Sequence, residues 1–312
     1  MIRINNIKVP LSFNFNKLHD LCNQKLGIDK KQLKSVHLAK KSVDARKKSD
    51  VHFIISLDIE AENESKLLKR IKGAVKHEKY TYKVEKLASE SEKRPVIVGF
   101  GPAGMFAALL LAEAGAKPVV LERGGDVDSR SEAVENFRQK GILDTESNVQ
   151  FGEGGAGTFS DGKLTTGIKD VRIGYVFERL VEFGAPDEIL YLAKPHIGTD
   201  KLKITVKNLR EYVKSLGGEI IFNAKFCGYE TLNSEITSAV YTKNGKEYTL
   251  SVNSCKERAN NLGCAFFLAV VVFLALDYNG HRDNLIHSIA SSRRKGGTRD
   301  TTALRQHIRS NR

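Results

Sequence analysis

The sequence lacks the cysteine patterns that mark metal-binding and disulfide-stabilised proteins. Its four cysteines include no C-x-x-C pair and no spacing typical of metal ligands, and nothing at the N-terminus resembles a signal peptide. These absences predict reduced thiols, no metal site and a cytoplasmic protein.

The sequence also lacks a clear transmembrane segment. The uncharged run at residues 262–276 has 15 residues, fewer than the roughly 20 that a helix needs to cross a bilayer. Basic residues lie on both sides of the run, so charge gives no membrane orientation. We expect a buried strand or helix here, and a membrane-associated helix is the alternative.

Only one G-x-G-x-x-G motif lies between a predicted apolar strand and a predicted helix, so a separate NAD(P)H-binding domain is unsupported. Its glycines are Gly99, Gly101 and Gly104, between the apolar residues 96–98 and a predicted helix over 102–114. The first glycine permits a tight turn, the second lets a pyrophosphate approach the backbone, and the third allows close helix packing. The N-terminus of the helix then favours an anion. This pattern predicts a dinucleotide-binding site.

An acidic residue follows the second apolar strand of the same unit. After a helix end at Gly115, residues 119–121 are predicted to form a strand that ends at Glu122. A carboxylate at this position accepts hydrogen bonds from ribose hydroxyls and repels a 2′-phosphate. The sequence therefore favours FAD or NAD over NADP.

A second glycine-rich stretch spans residues 148–166. Five glycines between positions 152 and 162 permit unusual backbone angles and a close approach to a flat or phosphorylated ligand. Thr158, Ser160 and Lys163 add polar groups. A flexible surface loop is the alternative, but bulky Phe151 and Phe159 are atypical of one.

The first 86 residues alternate apolar strands and amphipathic helices in the order β, α, β, β, α, which predicts a small α+β domain of ferredoxin-like type. Residues 87–94 are small and polar, as in a linker. The net charge of residues 1–94 is +10, since 22 Lys and Arg face 12 Asp and Glu. The basic group Lys40, Lys41, Arg46, Lys47 and Lys48 raises the possibility of nucleic-acid binding. A solvated basic face is favoured, because no aromatic stacking pattern accompanies these charges.

Several motifs resemble the uncharacterised FAD-dependent dehydrogenases, also called NAD(FAD)-utilising dehydrogenases, which are flavoproteins of the glutathione-reductase type. They are S-V-D-A-R-K-K at 42–48, V-I-V-G-F-G-P-A-G-M-F-A-A at 96–108, F-G-E-G-G-A-G-T-F-S-D-G-K-L at 151–164 and K-P-H-I-G-T-D-K-L at 194–202. The resemblance covers residues 1–250. It implies an α/β fold with a Rossmann-type FAD-binding domain at 95–250, FAD as cofactor and hydride transfer through the flavin.

The resemblance also implies which residues contact FAD. They are Gly99, Gly101, Pro102, Ala103, Gly104, Glu122, Arg123, Gly154, Gly155, Ala156, Gly157 and Thr158. His196 is a weak candidate for a catalytic acid or base, because its ordinary pKa lies near neutrality, and a structural role is at least as well supported. Thr199 and Asp200 are polar candidates of the same kind.

Beyond the FAD motifs, a helix is predicted over 127–140, a second over 203–216, a strand over 219–224 and a hairpin over 240–250 with a turn at Asn244-Gly245. Residues 251–312 do not share the resemblance. Arginine outnumbers lysine there, whereas lysine outnumbers arginine in residues 1–250, which suggests a foreign or frame-shifted end. The last 22 residues are predicted to be disordered.

Three functions follow from these observations. The first is a FAD-dependent oxidoreductase of unknown substrate, the second a catalytically inactive, truncated FAD-binding relative, and the third a basic RNA-binding protein.

Overall fold

The computed structural model describes residues 1–87, 94–159, 162–164, 170–233 and 235–252, which lie in one compact unit spanning Met1–Lys256. Most of the predicted linker and nearly all of the predicted tail, including the apolar run at 262–276, lie outside these residues. Within the described ranges, no helix is both long and apolar enough to cross a membrane.

The N-terminal part contains one four-stranded antiparallel sheet and two helices. Its elements are β1 (Ile2–Pro10), α1 (Leu18–Leu26), β2 (Leu33–Asp44), β3 (His52–Ala61), α2 (Glu64–Arg70) and β4 (Ala74–Lys76). The strands are hydrogen-bonded in the order β2-β3-β1-β4. The predicted order of five elements is confirmed, and β4 adds a short sixth element at one edge.

The core of this part depends on a shift in strand β1. Ile2 and Ile4 are buried, two residues apart as on one face of a strand. The next buried residues, Ile7 and Val9, come one position later than this two-residue spacing would place them. The pairing with β3 shifts between Ile4 and Ile7, where Asn6 has a φ of +60°. The bulge adds one residue and returns the apolar side chains to the same face.

A second sheet is parallel and follows the chain order of a dinucleotide-binding unit. Its strands β5 (Val96–Val98), β6 (Val119–Leu121) and β7 (Glu219–Ile221) pair in the order β5-β6-β7. The connecting helices are α3 (Pro102–Ala114), α4 (Val127–Lys140), α5 (Ile173–Glu182) and α6 (Thr199–Ser215). The strands β8 (Lys225–Leu232), β9 (Glu235–Lys243) and β10 (Lys246–Ser251) form a separate antiparallel sheet.

Most predicted elements of this part are confirmed, with changes at their ends. The helices over 102–114 and 127–140 have the predicted bounds. The helix predicted over 203–216 begins earlier, at Thr199, and the strand predicted over 219–224 ends at Ile221. The hairpin turn has positive φ at both Asn244 and Gly245, as a type I′ turn requires. The hairpin belongs to the antiparallel sheet and not to the parallel cofactor sheet.

The edge strand β2 contacts the C-terminal part of the unit through main-chain hydrogen bonds. The N–H of Lys41 donates to the carbonyl of Tyr191 over 2.7 Å, and the N–H of Ala193 donates to the carbonyl of Lys41 over 3.0 Å. The Lys41 ammonium lies 4.3 Å from the ring centre of Phe15 and 4.5 Å from that of Phe53. This lysine is therefore held by contacts within the chain.

Candidate functional site

The dinucleotide turn, residues 99–104, is built around two glycines. Gly99 has a φ of +90°, and its N–H donates to the carbonyl of Leu121 over 2.8 Å, which joins the turn to strand β6. A Cβ placed on Gly104 would lie 1.9 Å from the carbonyl oxygen of Gly99. The nearest atom on the sheet is farther away, at 3.5 Å on Ile97. The missing side chain at Gly104 therefore allows helix α3 to lie close to the turn. It matters less for the packing of the helix on the sheet.

Gly101 has a different environment, because the space beside it is open. It is the N-cap of α3, followed by Pro102 in the first turn. A Cβ on Gly101 would meet only the Cα of Gly155, at 4.0 Å. The free N–H groups of the first helical turn and the open approach at Gly101 suit a pyrophosphate.

Glu122 lies at the end of β6 and is 4% exposed. One carboxylate oxygen accepts from the N–H of Phe100 over 2.6 Å, and the other accepts from the N–H of Gly124 over 2.8 Å. An ionised carboxylate has about four lone-pair sites, so each oxygen retains capacity for a hydroxyl donor. The side chain fixes the dinucleotide turn and remains available to a ribose.

Arg123, the next residue, points to a different group of partners. Its guanidinium donates to Glu146 over 2.6 Å and lies 4.2 Å from the ring centre of Phe151. Glu146 also accepts from Lys225 over 3.0 Å. These contacts hold Arg123 beside the end of β6.

The glycine-rich loop, residues 152–158, packs directly on the dinucleotide turn. The N–H of Gly154 donates to the carbonyl of Phe100 over 2.9 Å. A Cβ on Gly155 would lie 3.0 Å from Cδ of Pro102. The first four residues of the loop are buried, and a short 3-10 turn (Ala156–Phe159) follows. The burial argues against the alternative of a solvated surface loop.

Arg130 holds the segment that leads into this loop. Its side chain is fully buried, and its guanidinium donates to the carbonyls of Asn148, Val149 and Glu153 over 2.7, 2.8 and 2.6 Å. Burial lowers the pKa of Arg130 to about 10. Sequence reasoning missed this residue, although a signal exists. Arg130 interrupts an apolar helical stripe between Val127 and Val134, both of which are buried.

Glu153 forms a buried ion pair at the start of the loop. It is fully buried, and one carboxylate oxygen accepts from Arg210 over 2.7 Å and from the N–H of Val127 over 2.8 Å. The other oxygen has no hydrogen-bond partner in the described part of the chain. Burial raises the pKa of Glu153 to about 7, against the opposing charge of Arg210. Thr158 has a buried hydroxyl that also lacks a hydrogen-bond partner among the residues that the structure describes.

The sequence candidates thus separate into two groups. The residues of the dinucleotide turn, Glu122, Arg123 and the glycine-rich loop form one continuous region. His196 is exposed, its backbone pairs with Lys163, and its ring forms no hydrogen bond with the described residues. Thr199 and Asp200 form the first turn of α6. The prediction for Ser160 falls outside the described residues.

No group of three or more His, Cys, Asp or Glu side chains is arranged to bind a metal ion in the described part of the chain. Cys22 is buried, and burial raises its pKa to about 11, whereas Cys227 is exposed. The remaining cysteines, Cys255 and Cys264, lie beyond the described residues.

Comparison with protein families gives two matches. A family described as FAD binding domain matches residues 94–253, and a domain of unknown function matches residues 1–72. An uncharacterized protein from Clostridium beijerinckii is 48% identical over 251 residues, which cover 80% of this chain and 47% of that protein. The chain therefore spans about half the length of this relative.

Similar solved structures include THI4 from Thermovibrio ammonificans, with 13% identity, a TM-score of 0.34 and coverage of 51% of this chain and 54% of that one. Another is 3-ketosteroid-delta4-(5alpha)-dehydrogenase from Rhodococcus jostii RHA1, with 18% identity, a TM-score of 0.31 and coverage of 54% and 46%. These scores are too low to carry an argument about function.

Proposed function

The chain belongs to the FAD binding domain family and binds FAD, and from this premise we propose that it is the cofactor-binding part of a FAD-dependent oxidoreductase. The motifs at 42–48, 96–108, 151–164 and 194–202 support the finer assignment to the NAD(FAD)-utilising dehydrogenases. The substrate class stays open, because no substrate-binding residue is identified among the described residues.

One observation supports this function above the others: the glycine-rich loop lies against the dinucleotide turn. Gly155 approaches Pro102 and Gly101 so closely that a Cβ on Gly155 would lie 3.0 and 3.6 Å from their atoms. Two backbone segments with little side-chain cover meet beside the N-terminus of α3. That arrangement suits a large ligand carrying a pyrophosphate.

Each part of the region suits a different part of FAD. We assign the pyrophosphate to Gly99, Gly101, Pro102, Ala103 and Gly104, the ribose to Glu122 and the adenosine side to Arg123. The loop residues Gly154, Gly155, Ala156, Gly157 and Thr158 would lie along the pyrophosphate or the flavin. FAD supplies the hydride chemistry, while these residues bind and orient it.

Catalytic roles are assigned to no residue of the described region. His196 stays a prediction for an acid or base, and its exposed position leaves a structural role as the alternative.

We further propose a division into a small basic domain at 1–86, a linker at 87–94 and the FAD-binding domain at 95–250. The strand order β2-β3-β1-β4, with a helix after β1 and another after β3, supports a ferredoxin-like class for the first domain.

The first experiment is to express the chain, remove small molecules and record its visible spectrum, with Gly101→Val as the test variant. A Cβ at Gly101 meets no atom closer than 4.0 Å, so we expect the variant to fold and to exclude the pyrophosphate. Bound oxidised flavin absorbs near ~370 and ~450 nm. We expect both bands in the wild-type protein and their loss in the variant. A wild-type protein that takes up no added FAD would contradict the proposal.

Gly174→Ala is the matched control. Gly174 lies in α5, and a Cβ there meets no atom within 4 Å, so the substitution changes a glycine without touching the site. Its flavin bands should equal those of the wild-type protein.

A second candidate function is that this chain binds FAD but does not catalyse turnover on its own. We include it because the chain covers only 47% of the relative. Anaerobic NADH separates the two. A dehydrogenase of the proposed class should lose its absorbance near ~450 nm on mixing, whereas a binding-only protein should lose it with dithionite alone.

RNA binding, the third function, has less support. Of the basic residues at 40–48, Lys41 contacts two aromatic rings and Arg46 pairs with Asp44 over 2.6 Å. RNA affinity that falls steeply with salt and survives Gly101→Val would favour it.

A further inference from the structure

We propose that Arg130 is a positioning residue for FAD, which fixes the glycine-rich loop in its binding conformation without contacting the cofactor. The inference rests on the proposed function, since it concerns the same site. It assigns a role to a residue outside the motif glycines and outside the predicted cofactor contacts.

The first argument is burial. Arg130 has no exposed surface. A side chain with no accessible surface has none to offer FAD unless the surrounding loop rearranges. Its influence on FAD must therefore pass through the residues that it contacts.

The second argument is the identity of those contacts. The three nitrogens of the guanidinium donate to three carbonyls of one segment, at positions 148, 149 and 153. The fork geometry of arginine spans several acceptors at once, which a lysine ammonium does with less geometric control. Arg130 thus determines the backbone course over residues 148–153.

The third argument is the position of this segment in the chain. Gly154 follows the last carbonyl held by Arg130, and its N–H donates to the carbonyl of Phe100 in the dinucleotide turn. Gly155 then lies against Pro102. The arginine therefore acts directly upstream of the two contacts that join the loop to the turn.

The loop is shaped to admit this side chain. A Cβ on Gly152 would lie 2.6 Å from Cδ of Arg130, and Gly152 has a φ of +119°. On the other side, the guanidinium lies 4.5 Å from the ring centre of Phe159, which also contacts Lys203 at 4.5 Å. Gly152 at the start of the loop and Phe159, directly after its end, thus both lie against Arg130.

The energetic argument points the same way. A buried guanidinium loses its hydration, and hydrophobic replacements of buried charges are often neutral or stabilising. Among the described residues, the Arg130 guanidinium forms no side-chain ion pair and donates to carbonyls alone. We infer that the role of Arg130 is to define the conformation of the loop and not to increase stability.

The test compares Arg130→Lys with Arg138→Lys, an exposed arginine on the same helix. FAD dissociation constants are measured by quenching of flavin fluorescence, at a temperature where circular dichroism shows each protein folded. We expect at least a ten-fold weaker affinity for Arg130→Lys, a larger loss for Arg130→Met and none for Arg138→Lys. At saturating FAD the visible spectrum should be unchanged, because Arg130 does not contact the flavin.

Hydrogen exchange in the wild-type protein provides a test that needs no variant to fold. The amides of Glu153 and Gly154 should be protected before FAD is added, since the loop is already in place. Free exchange that becomes slow only with FAD would overturn the proposal. So would a folded Arg130→Lys variant that binds FAD within two-fold of the wild-type affinity. A wild-type protein that binds no FAD would instead contradict the proposed function.

Discussion

The two glycine segments of the site achieve their conformations by different means. The dinucleotide turn is held by a main-chain hydrogen bond from Gly99 to Leu121 and by the carboxylate of Glu122, and a Cβ on Gly104 would lie 1.9 Å from the carbonyl oxygen of Gly99. At the glycine-rich loop, the buried guanidinium of Arg130 donates to the carbonyl of Glu153, and the buried Glu153 side chain pairs with Arg210. Glycine permits the backbone path in both segments. At the turn a carboxylate accepts from main-chain N–H groups, whereas at the loop a guanidinium donates to main-chain carbonyls.

The first prediction would break the dinucleotide turn and has the largest expected effect. In Gly104→Ala the new methyl group would lie 1.9 Å from a carbonyl oxygen, which the helix can relieve only by moving away from the turn. We expect a loss of FAD binding and a decrease of roughly 3 kcal/mol or more in the free energy of unfolding. Denaturant titration with and without FAD measures both. Equal affinity in Gly104→Ala and Gly174→Ala would show that the turn tolerates a side chain.

The second prediction breaks the loop through its buried ion pair. Glu153→Leu removes the buried acceptor that Arg210 shares with the N–H of Val127, and breaking a buried ion pair costs about 3–5 kcal/mol in typical proteins. Glu211→Leu is the matched control, because it removes an exposed partner of the same arginine, at 2.9 Å. We expect the control to cost less than about 1 kcal/mol. Similar unfolding curves for the two variants would show that the buried pair has no special importance.

The third prediction concerns pH and has the smallest effect. Burial raises the pKa of Glu153 from 4.5 to about 7, and the nearby Asp126 and Asp128 add to the shift while Arg210 opposes it. Between these values the folded protein retains a proton that the unfolded chain has lost. The stability that this bound proton contributes is therefore present in full below about pH 4.5 and is lost as the pH rises through about 7.

The corresponding measurement is the free energy of unfolding across this pH range, in the wild-type protein and in Glu153→Gln. The variant has no titrating group at this position, so the difference between the two curves isolates Glu153. A difference that is constant with pH would contradict the raised pKa.

Sequence patterns predicted the dinucleotide turn well, because its glycine spacing and its two apolar strands lie within one stretch of chain. The same holds for the bounds of α3 and α4, whose ends carry a proline, an aspartate cap or a following glycine. Local signals were sufficient there.

The buried arginines that contact the loop could not be predicted from local sequence patterns. Arg130 and Arg210 lie on different helices, 23 and 57 residues from Glu153, and only the fold brings them together. Strand β8 was also missed. Its residues are mostly exposed or half-buried, so alternation gives little signal.

The pairing of strand β2 with residues 191–193 also has a consequence for solubility. Sheet edges with free N–H and carbonyl groups are templates for association between molecules. Edge strand β2 carries Lys34, Lys40 and Lys41, and the main chain of Lys41 is already paired, while the opposite edge is the three-residue strand β4. Lysines, a covering segment and a short strand all discourage intermolecular pairing. The lysines of strand β2 thus suit a sheet edge that does not pair with another molecule, and this role requires no nucleic acid.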